Sequence, residues 1–297
     1  MTVRRALVIA NPAARRASRA LPRALRTFAA HGVVADAVVT EHPGHARELA
    51  HERAPGYDAV FVLGGDGTAM EVLEASGNHG RPVGVLPGGT GNLVARALGT
   101  PLRVDAAVRA LLAGEERRID LGALDDGRTF AFAAGVGIDA TMLERASPRF
   151  KRYAGVLAYV IAATDASLRF RPFVLHATVD GVEHTFHAAA AMVLNFGTVL
   201  GGMLQLAPDV DPGDGWLDLC VFGPRTLGDV LQIGWRIWRH RLSEDVHMHF
   251  LKGRMIRLAT EPMRAAQADG ELLGTTPITC VVRPGAARIL VPAGGRA

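Results

Sequence analysis

Cysteine is almost missing from this chain: Cys220 and Cys280 are the two present, each inside an apolar, strand-like run. That scarcity excludes a disulfide-stapled scaffold and leads us to expect a reduced, cytoplasmic protein. Long apolar stretches are missing too. The best membrane candidate, Gly155 to Ala163, falls far short of the ~20 residues that a spanning helix needs. Met1 to Arg5 leads into only a brief apolar stretch before Asn11-Pro12, so no secretory leader is read there. Charge of one sign is also slight, since 33 Lys and Arg against 29 Asp and Glu leave +4. Such a surplus suits an anionic membrane surface or nucleotide phosphates and is small for a dedicated nucleic-acid binder. Internal repeats and long low-complexity linkers are absent. No histidine pair has convincing zinc spacing, His45/His51 and His247/His249 included. Neither GxxxxGK[ST] nor GxGxxG occurs in a strand–helix setting, which argues against a P-loop or dinucleotide fold.

What the chain does have is glycine in two telling clusters. Gly64-Gly65-Asp66-Gly67-Thr68 follows the apolar run Ala59–Leu63 and precedes a helical stretch from Ala69. Glycines there let the backbone turn tightly and aim N–H groups at an anion, with a helix N-terminus behind them. Asp66 is unwelcome beside phosphate unless a cation or a hydroxyl proton intervenes, so the loop suggests nucleotide plus metal and phosphoryl transfer. A glycine turn with a solvated Asp is the plainer alternative. The design recurs at Pro87-Gly88-Gly89-Thr90-Gly91-Asn92, between the strand Val83–Leu86 and the helix from Leu93. A third apolar run, Ala6–Ala10, ends in Asn11-Pro12. Neighbouring parallel strands that end in polar loops line one ligand crevice.

With 297 residues, 49% hydrophobic and 21% charged, the chain has ordinary globular composition and room for two modest domains. Strands are expected at 6–10, 33–39, 59–63 and 83–86, and helices near 18–30, 44–53, 68–76, 92–98 and 104–112. From about Arg117 the rhythm turns to strands, at 117–124, 129–136, 172–180, 184–195, 216–222, 247–250, 254–259, 278–283 and 287–291. Helices near 152–169 and 226–240 interrupt them. The fold class is therefore α/β plus β: an N-terminal parallel-sheet domain and a C-terminal antiparallel β-sandwich. The expected boundaries are 1–116 and 117–285.

GGDGT, PGGTGN and Ala268-Asp269-Gly270-Glu271 stand in that order. Asn11-Pro12 lies ahead of them, Gly135-Val136-Gly137-Ile138-Asp139-Ala140 mid-chain, and Pro208 to Asp218 before the last. Together they resemble the diacylglycerol/sphingosine/ceramide lipid kinase superfamily, most nearly its bacterial soluble diacylglycerol-kinase-like branch. The resemblance covers almost the whole chain. It implies ATP and Mg²⁺, and a final segment, 286–297, that returns to the nucleotide-binding domain. It places ATP along Asn11, Pro12 and Arg15, near Thr40, along Gly64, Gly65, Asp66, Gly67 and Thr68, and at Gly89, Thr90 and Asn92. The chain departs from the family at Ala14-Arg15-Arg16, where a small residue and Gly are usual, and at Met70, where Asn is.

The resemblance also points to Glu271 as the base that accepts the lipid hydroxyl proton, with Asp66 a second catalytic carboxylate and metal candidate. Asp269-Gly270 is by itself a strong hairpin-turn signal with solvent-facing acids, and that reading stays open. Asp209, Asp211, Asp214 and Asp218 could wrap a hard cation without fitting an EF-hand. The resemblance narrows the ligands to Asp211, Asp214 and the Trp216 carbonyl, and an ion-free acidic loop is the alternative. Trp235 and Trp238 beside Arg236, Arg239 and Arg241, and the segment Phe150–Phe170, suit a headgroup boundary or, equally, a sandwich core. The implied lipid partner would be met at a membrane surface, between the domains over Gly135 to Asp139. A homodimer through a sandwich edge is open. Rival readings are an NAD kinase-like enzyme, which shares GGDGT, and a catalytically silent nucleotide- or lipid-binding regulator.

Overall fold

The computed structural model describes residues 3–14, 16–137, 172–199, 204–207, 209–239, 242, 245–269 and 271–294. Apolar and amphipathic runs alternate through the first part of the chain, and the backbone follows them. The order is β1 (Arg5–Ala10), α1 (Ala17–Ala30), β2 (Val34–Val39), α2 (His45–Arg53), β3 (Ala59–Gly64), α3 (Asp66–His79), β4 (Val83–Pro87), α4 (Leu93–Ala97) and α5 (Val104–Leu112). β1 pairs in parallel with β2 and β3, and β3 with β4. β3 and β4 are buried along their whole length, because helices cover both faces of a parallel sheet, and they read as unbroken apolar runs. β2, at the sheet edge, is mostly exposed.

Strands then dominate. They are β5 (Glu115–Leu124), β6 (Thr129–Phe130), β7 (Ala133–Val136), β8 (Phe173–Val179), β9 (Val182–Ala188), β10 (Ala190–Leu194), β11 (Thr198–Val199), β12 (Leu204–Gln205) and β13 (Leu217–Phe222). After α6 (Leu227–Trp238) come β14 (Met248–Gly253), β15 (Met255–Glu261), β16 (Ala265–Ala268), β17 (Glu271–Thr275) and β18 (Ile278–Val291). One sheet runs β2-β1-β3-β4-β18-β15-β8-β9, with β5 beside β18 and β6 beside β5; a second runs β14-β13-β10-β7-β16-β17. Their facing sides meet over a core that includes Leu175, Ile256, Leu258 and Cys280 from the first sheet and Val136, Val193, Leu219 and Val221 from the second. The architecture is thus a parallel-rich sheet with helices joined to a β-sandwich. Both cysteines are free and buried in it, and burial pushes the Cys280 thiol up to about 12.

Several elements differ from the sequence reading for identifiable reasons. The run at 184–195 divides at Ala189, whose N–H donates to the Phe222 carbonyl, so that β9 joins one sheet and β10 the other. The run at 129–136 breaks at Ala131–Phe132, where the amides are taken by a carboxylate instead of a neighbouring strand. The two short strands expected at 278–283 and 287–291 are one strand, with a register shift against β5 between Arg283 and Ala287. Its far end lies beside β4, Ile289 pairing in parallel with Val83. The hairpin signal at Asp269 is met by β16–β17, whose strands were not among those expected, and the Asp269 carboxylate faces backbone amides instead of solvent. The segment 152–169, Ile138 and Asp139 lie outside the described residues. No described helix is long and apolar enough to cross a membrane.

Candidate active site

The polar ends of β1, β3 and β4 lie side by side and are laced together through their backbones. The Asn11 amide donates to the Leu63 carbonyl at 3.0 Å, Gly88 to Gly64 at 2.9 Å, and Arg16 to Gly88 at 3.0 Å. A Cβ at Gly88 would stand 2.9 Å from the Gly64 nitrogen, and one at Gly89 would stand 2.7 Å from the Gly65 Cα. The two glycine clusters are therefore each other's packing surface, which explains why both need glycine. Asn11 Nδ2 donates to Thr68 Oγ1 at 2.8 Å, and its Oδ1 accepts from the Ala13 amide at 2.9 Å, tying the first loop to α3.

These loops enclose a cavity of about 570 Å³ lined by Asn11, Pro12, Thr40, Gly65, Gly67, Thr68, Gly89 and Thr90. Other expected residues sit elsewhere. Gly64 is buried at the end of β3, its nitrogen and oxygen facing Gly88. Asn92, buried in a left-handed conformation, accepts from the Gly89 amide at 2.9 Å and donates to its carbonyl at 3.0 Å, so it braces the loop instead of lining the cavity. Arg15 lies outside the described residues. Four lining residues were missed: Glu41, His42, Pro43 and Glu71. Glu71 accepts from the Gly44 and Ala46 amides, both at 3.0 Å, and so holds the loop before α2 against α3. The sequence carries no signal for a contact between segments so far apart.

Asp66 does not hang in a loop; it opens α3, and its Oδ1 accepts from the Val94 amide of α4 at 3.1 Å. Burial raises its carboxyl above the usual range, while amides from Val94 and Leu93 pull the other way. It therefore joins the GGDGT and PGGTGN segments, and it is not among the residues that line the cavity.

The β16–β17 hairpin of the second sheet carries Asp269 directly after β16. Asp269, in a left-handed conformation, accepts from three successive amides: Ala131 at 2.8 Å, Phe132 at 3.0 Å and Ala133 at 2.9 Å. Burial pushes its carboxyl up to about 6 against those amides, and the charge on Asp66 adds to the rise. Glu271 follows as an exposed residue at the start of β17, and its charge helps to raise the Arg128 guanidinium, after the larger effect of the Asp126 hydrogen bond. Arg128 also donates to the Leu272 carbonyl at 3.2 Å. The Thr129 hydroxyl bonds the Glu74 carboxylate on α3, a further tie between the two halves.

Because the folded value for Asp269 lies above the ordinary carboxylate value, its ionisation opposes folding. Its contribution is complete below about pH 4 and is lost as pH rises through about 6. Asp269→Asn suits the left-handed backbone but does not titrate. The melting-temperature advantage of the native protein over this variant should therefore be smaller at pH 7.5 than at pH 5. An equal advantage at both pH values would contradict the assignment.

The acidic loop is held from behind by a buried residue that the sequence reading passed over. Asp120 accepts from the Gly215 and Gly285 amides, both at 2.7 Å, and its own amide donates to the Pro212 carbonyl at 2.6 Å. Replacing Asp120 by Ala strands these donors; a loss of about 2–4 kcal/mol in urea unfolding is expected. Within the loop, Asp211 Oδ1 accepts from the Gly213 amide at 2.9 Å and Asp214 Oδ1 from the Trp216 amide at 3.0 Å. Lys252 Nζ stands 2.7 Å from Asp214 Oδ2 and 3.8 Å from Asp218 Oδ2. Burial pushes the Asp218 carboxyl up to about 6, and its Oδ2 is buried without a hydrogen-bond partner. Hard oxygen donors, with one buried carboxylate oxygen lacking a hydrogen bond, suit a cation, and Lys252 already supplies one positive charge to Asp214 and Asp218.

Among the described residues, the metal-type side chains that converge are His42, His45 and Glu48 at the cavity rim. His45 Nδ1 accepts from the Glu41 amide at 3.0 Å, which keeps the proton on Nε2. The trio is not a ready ligand set.

Residues 5–124 match a family model described as the diacylglycerol kinase catalytic domain, and residues 133–291 one described as the YegS C-terminal NAD kinase beta sandwich-like domain. A diacylglycerol kinase of Mycobacterium tuberculosis is 29% identical over 284 residues, 90% of this chain and 91% of that protein. A diacylglycerol kinase of Bacillus subtilis is 28% identical over 93% of this chain and 92% of its own. An uncharacterized protein of Synechocystis sp. is 30% identical over 82% of this chain, which spans 57% of that longer protein. Among solved structures, one from Bacillus anthracis described as a diacylglycerol kinase superposes with a TM-score of 0.79 at 24% identity, covering 98% of both chains. A second from that organism reaches 0.84 at 22% identity over 99% of both. At those identities the structures establish the shared fold.

Proposed function

The chain belongs to the diacylglycerol kinase-like family of lipid kinases, and on that footing we propose that it transfers the γ-phosphoryl group of ATP to a hydroxyl of diacylglycerol or a related amphiphile. One observation carries the reading. The glycine-loop cavity and the DGE hairpin belong to different sheets, yet Ala69 and Met70, behind the GGDGT loop, share one core with Ala131, Phe132 and Ala133, whose amides hold Asp269.

The cavity residues would act by position and charge. Backbone N–H groups of Gly65 and Gly67, and the hydroxyls of Thr68 and Thr90, would cradle the phosphates. Glu271 would take the proton from the lipid hydroxyl as its oxygen attacks phosphorus and the bond to the β-phosphate oxygen breaks, leaving ADP and, from diacylglycerol, phosphatidic acid. Asp269 would hold the hairpin that carries Glu271. When bound with ATP, Mg²⁺ supplies charge neutralisation at the phosphate oxygens. Asp211, Asp214 and the Trp216 carbonyl would hold a second, structural ion; the Asp218 oxygen beside them, buried without a hydrogen bond, supports a cation there. The enzyme would work from the cytoplasm with transient membrane contact.

Labelled ATP offered with diacylglycerol micelles, with NAD, or with neither acceptor tests this. Label in the lipid is expected. Label in NAD would favour the NAD kinase relationship named in the second family model, and label in neither would favour a silent binding protein.

A further inference from the structure

α6 presents an apolar face that no described element covers. Its start is well anchored: Thr226 Oγ1 accepts from the Asp229 amide at 3.2 Å, and Asp229 Oδ2 accepts from the Thr226 amide at 2.8 Å. Ile233 is buried and pins the helix to the body. Leu231 and Trp235, one turn apart on another side, are 52% and 50% exposed. Residues four apart share a helix face. The bend at 245–247 is fastened to the same helix by the Arg236–Asp245 ion pair and by His247 Nε2, 3.6 Å from Asp229 Oδ1. That bend carries Val246, 72% exposed. The Trp238 side chain is outside the described residues, so the face is argued without it.

The charges around this face are unequal. Of its acids, Asp245 is paired with Arg236, and Asp229 is committed to the Arg225 and Thr226 amides, both at 2.8 Å. Arg239 lies over the Trp235 ring at 5.6 Å, and Arg225 is exposed at the other end of the helix; among the described residues neither is in an ion pair. Tryptophan with apolar neighbours and unmatched guanidinium groups suits the boundary between acyl chains and anionic headgroups. The face is also wired to the cleft. α6 packs on β12, β12 pairs with β11, and β11 packs on α4, the helix whose Val94 amide binds Asp66.

We propose that the Leu231–Trp235–Val246 face, rimmed by Arg225 and Arg239, is the docking surface through which this chain engages an anionic lipid bilayer. The proposal deepens the lipid kinase reading and rests on it, because an acceptor buried in a membrane must be met there.

Co-sedimentation of the full chain with vesicles tests it. Vesicles of phosphatidylcholine with phosphatidylglycerol should bind the protein, those of phosphatidylcholine alone much less, and added salt should release it. Leu231→Gln/Trp235→Gln should lower binding at least about tenfold while turnover of a short-chain, water-soluble diacylglycerol stays at the native level. Equal binding by the double variant would overturn the proposal, as would failure of the native protein to bind anionic vesicles. A native dimer that the variant converts to monomer, without vesicle binding, would assign the face to a second copy and overturn it as well. Failure to phosphorylate the short-chain substrate, with vesicle binding intact, would count against the kinase reading alone.

Discussion

Glu271→Gln should fold and bind ATP as the native protein does, yet lose turnover by on the order of 10³-fold or more. The side chain is exposed at the first residue of β17, so its amide analogue disturbs no core contact. Gln keeps the shape and cannot accept the hydroxyl proton. The loss should appear in kcat, with the Kd for a non-hydrolysable ATP analogue unchanged, because the residue is not among those that line the cavity. Turnover within tenfold of native would move the base elsewhere. Asp269 makes the contrasting case. Its carboxylate is committed to three amides, so its replacement should lower kcat by loosening the hairpin, and it should change the pH dependence of stability.

Gly89→Val should damage the other half of the site. The first carbon it adds already stands 2.7 Å from the Gly65 Cα, and the obstacle is backbone, which cannot swing aside. The two glycine clusters must separate, pulling their amides off the phosphate positions. A displacement near 1 Å at such a site costs about 10²-fold, so ATP affinity should fall by at least that factor in a direct binding measurement. Stability should fall by only about 1–3 kcal/mol, the usual cost of overpacking. Native ATP affinity in this variant would mean that the cavity between these loops is not the nucleotide site.

The two predictions draw on parts of the chain that were not equally legible beforehand. The β1, β3 and β4 runs and their polar ends could be read directly, because a parallel strand covered on both faces must be apolar throughout. The sandwich was legible in kind and not in detail. Strand changes such as that at Ala189 depend on which sheet offers an acceptor, and the Phe222 carbonyl is thirty-odd residues away. The motifs marked where the chemistry gathers but not what each residue does. Asn92 and Gly64 stand inside the glycine clusters yet serve packing, whereas Glu71 and Asp120 belong to no motif and act on amides distant in sequence. Asp269 was legible as a turn former, and its grip on the 131–133 amides was not. Contacts of that kind are tertiary facts with no local periodicity to reveal them.

The central claim is that two glycine-lined loops and a hairpin from another sheet form one phosphoryl-transfer site for a lipid alcohol. Mass spectrometry of a lipid extract incubated with ATP and either the native protein or Glu271→Gln tests this most directly. The account predicts a phosphorylated lipid, with phosphatidic acid foremost, in the native reaction alone. The same phosphorylated lipids at the same level in both reactions, or no new phospholipid in either, would contradict it.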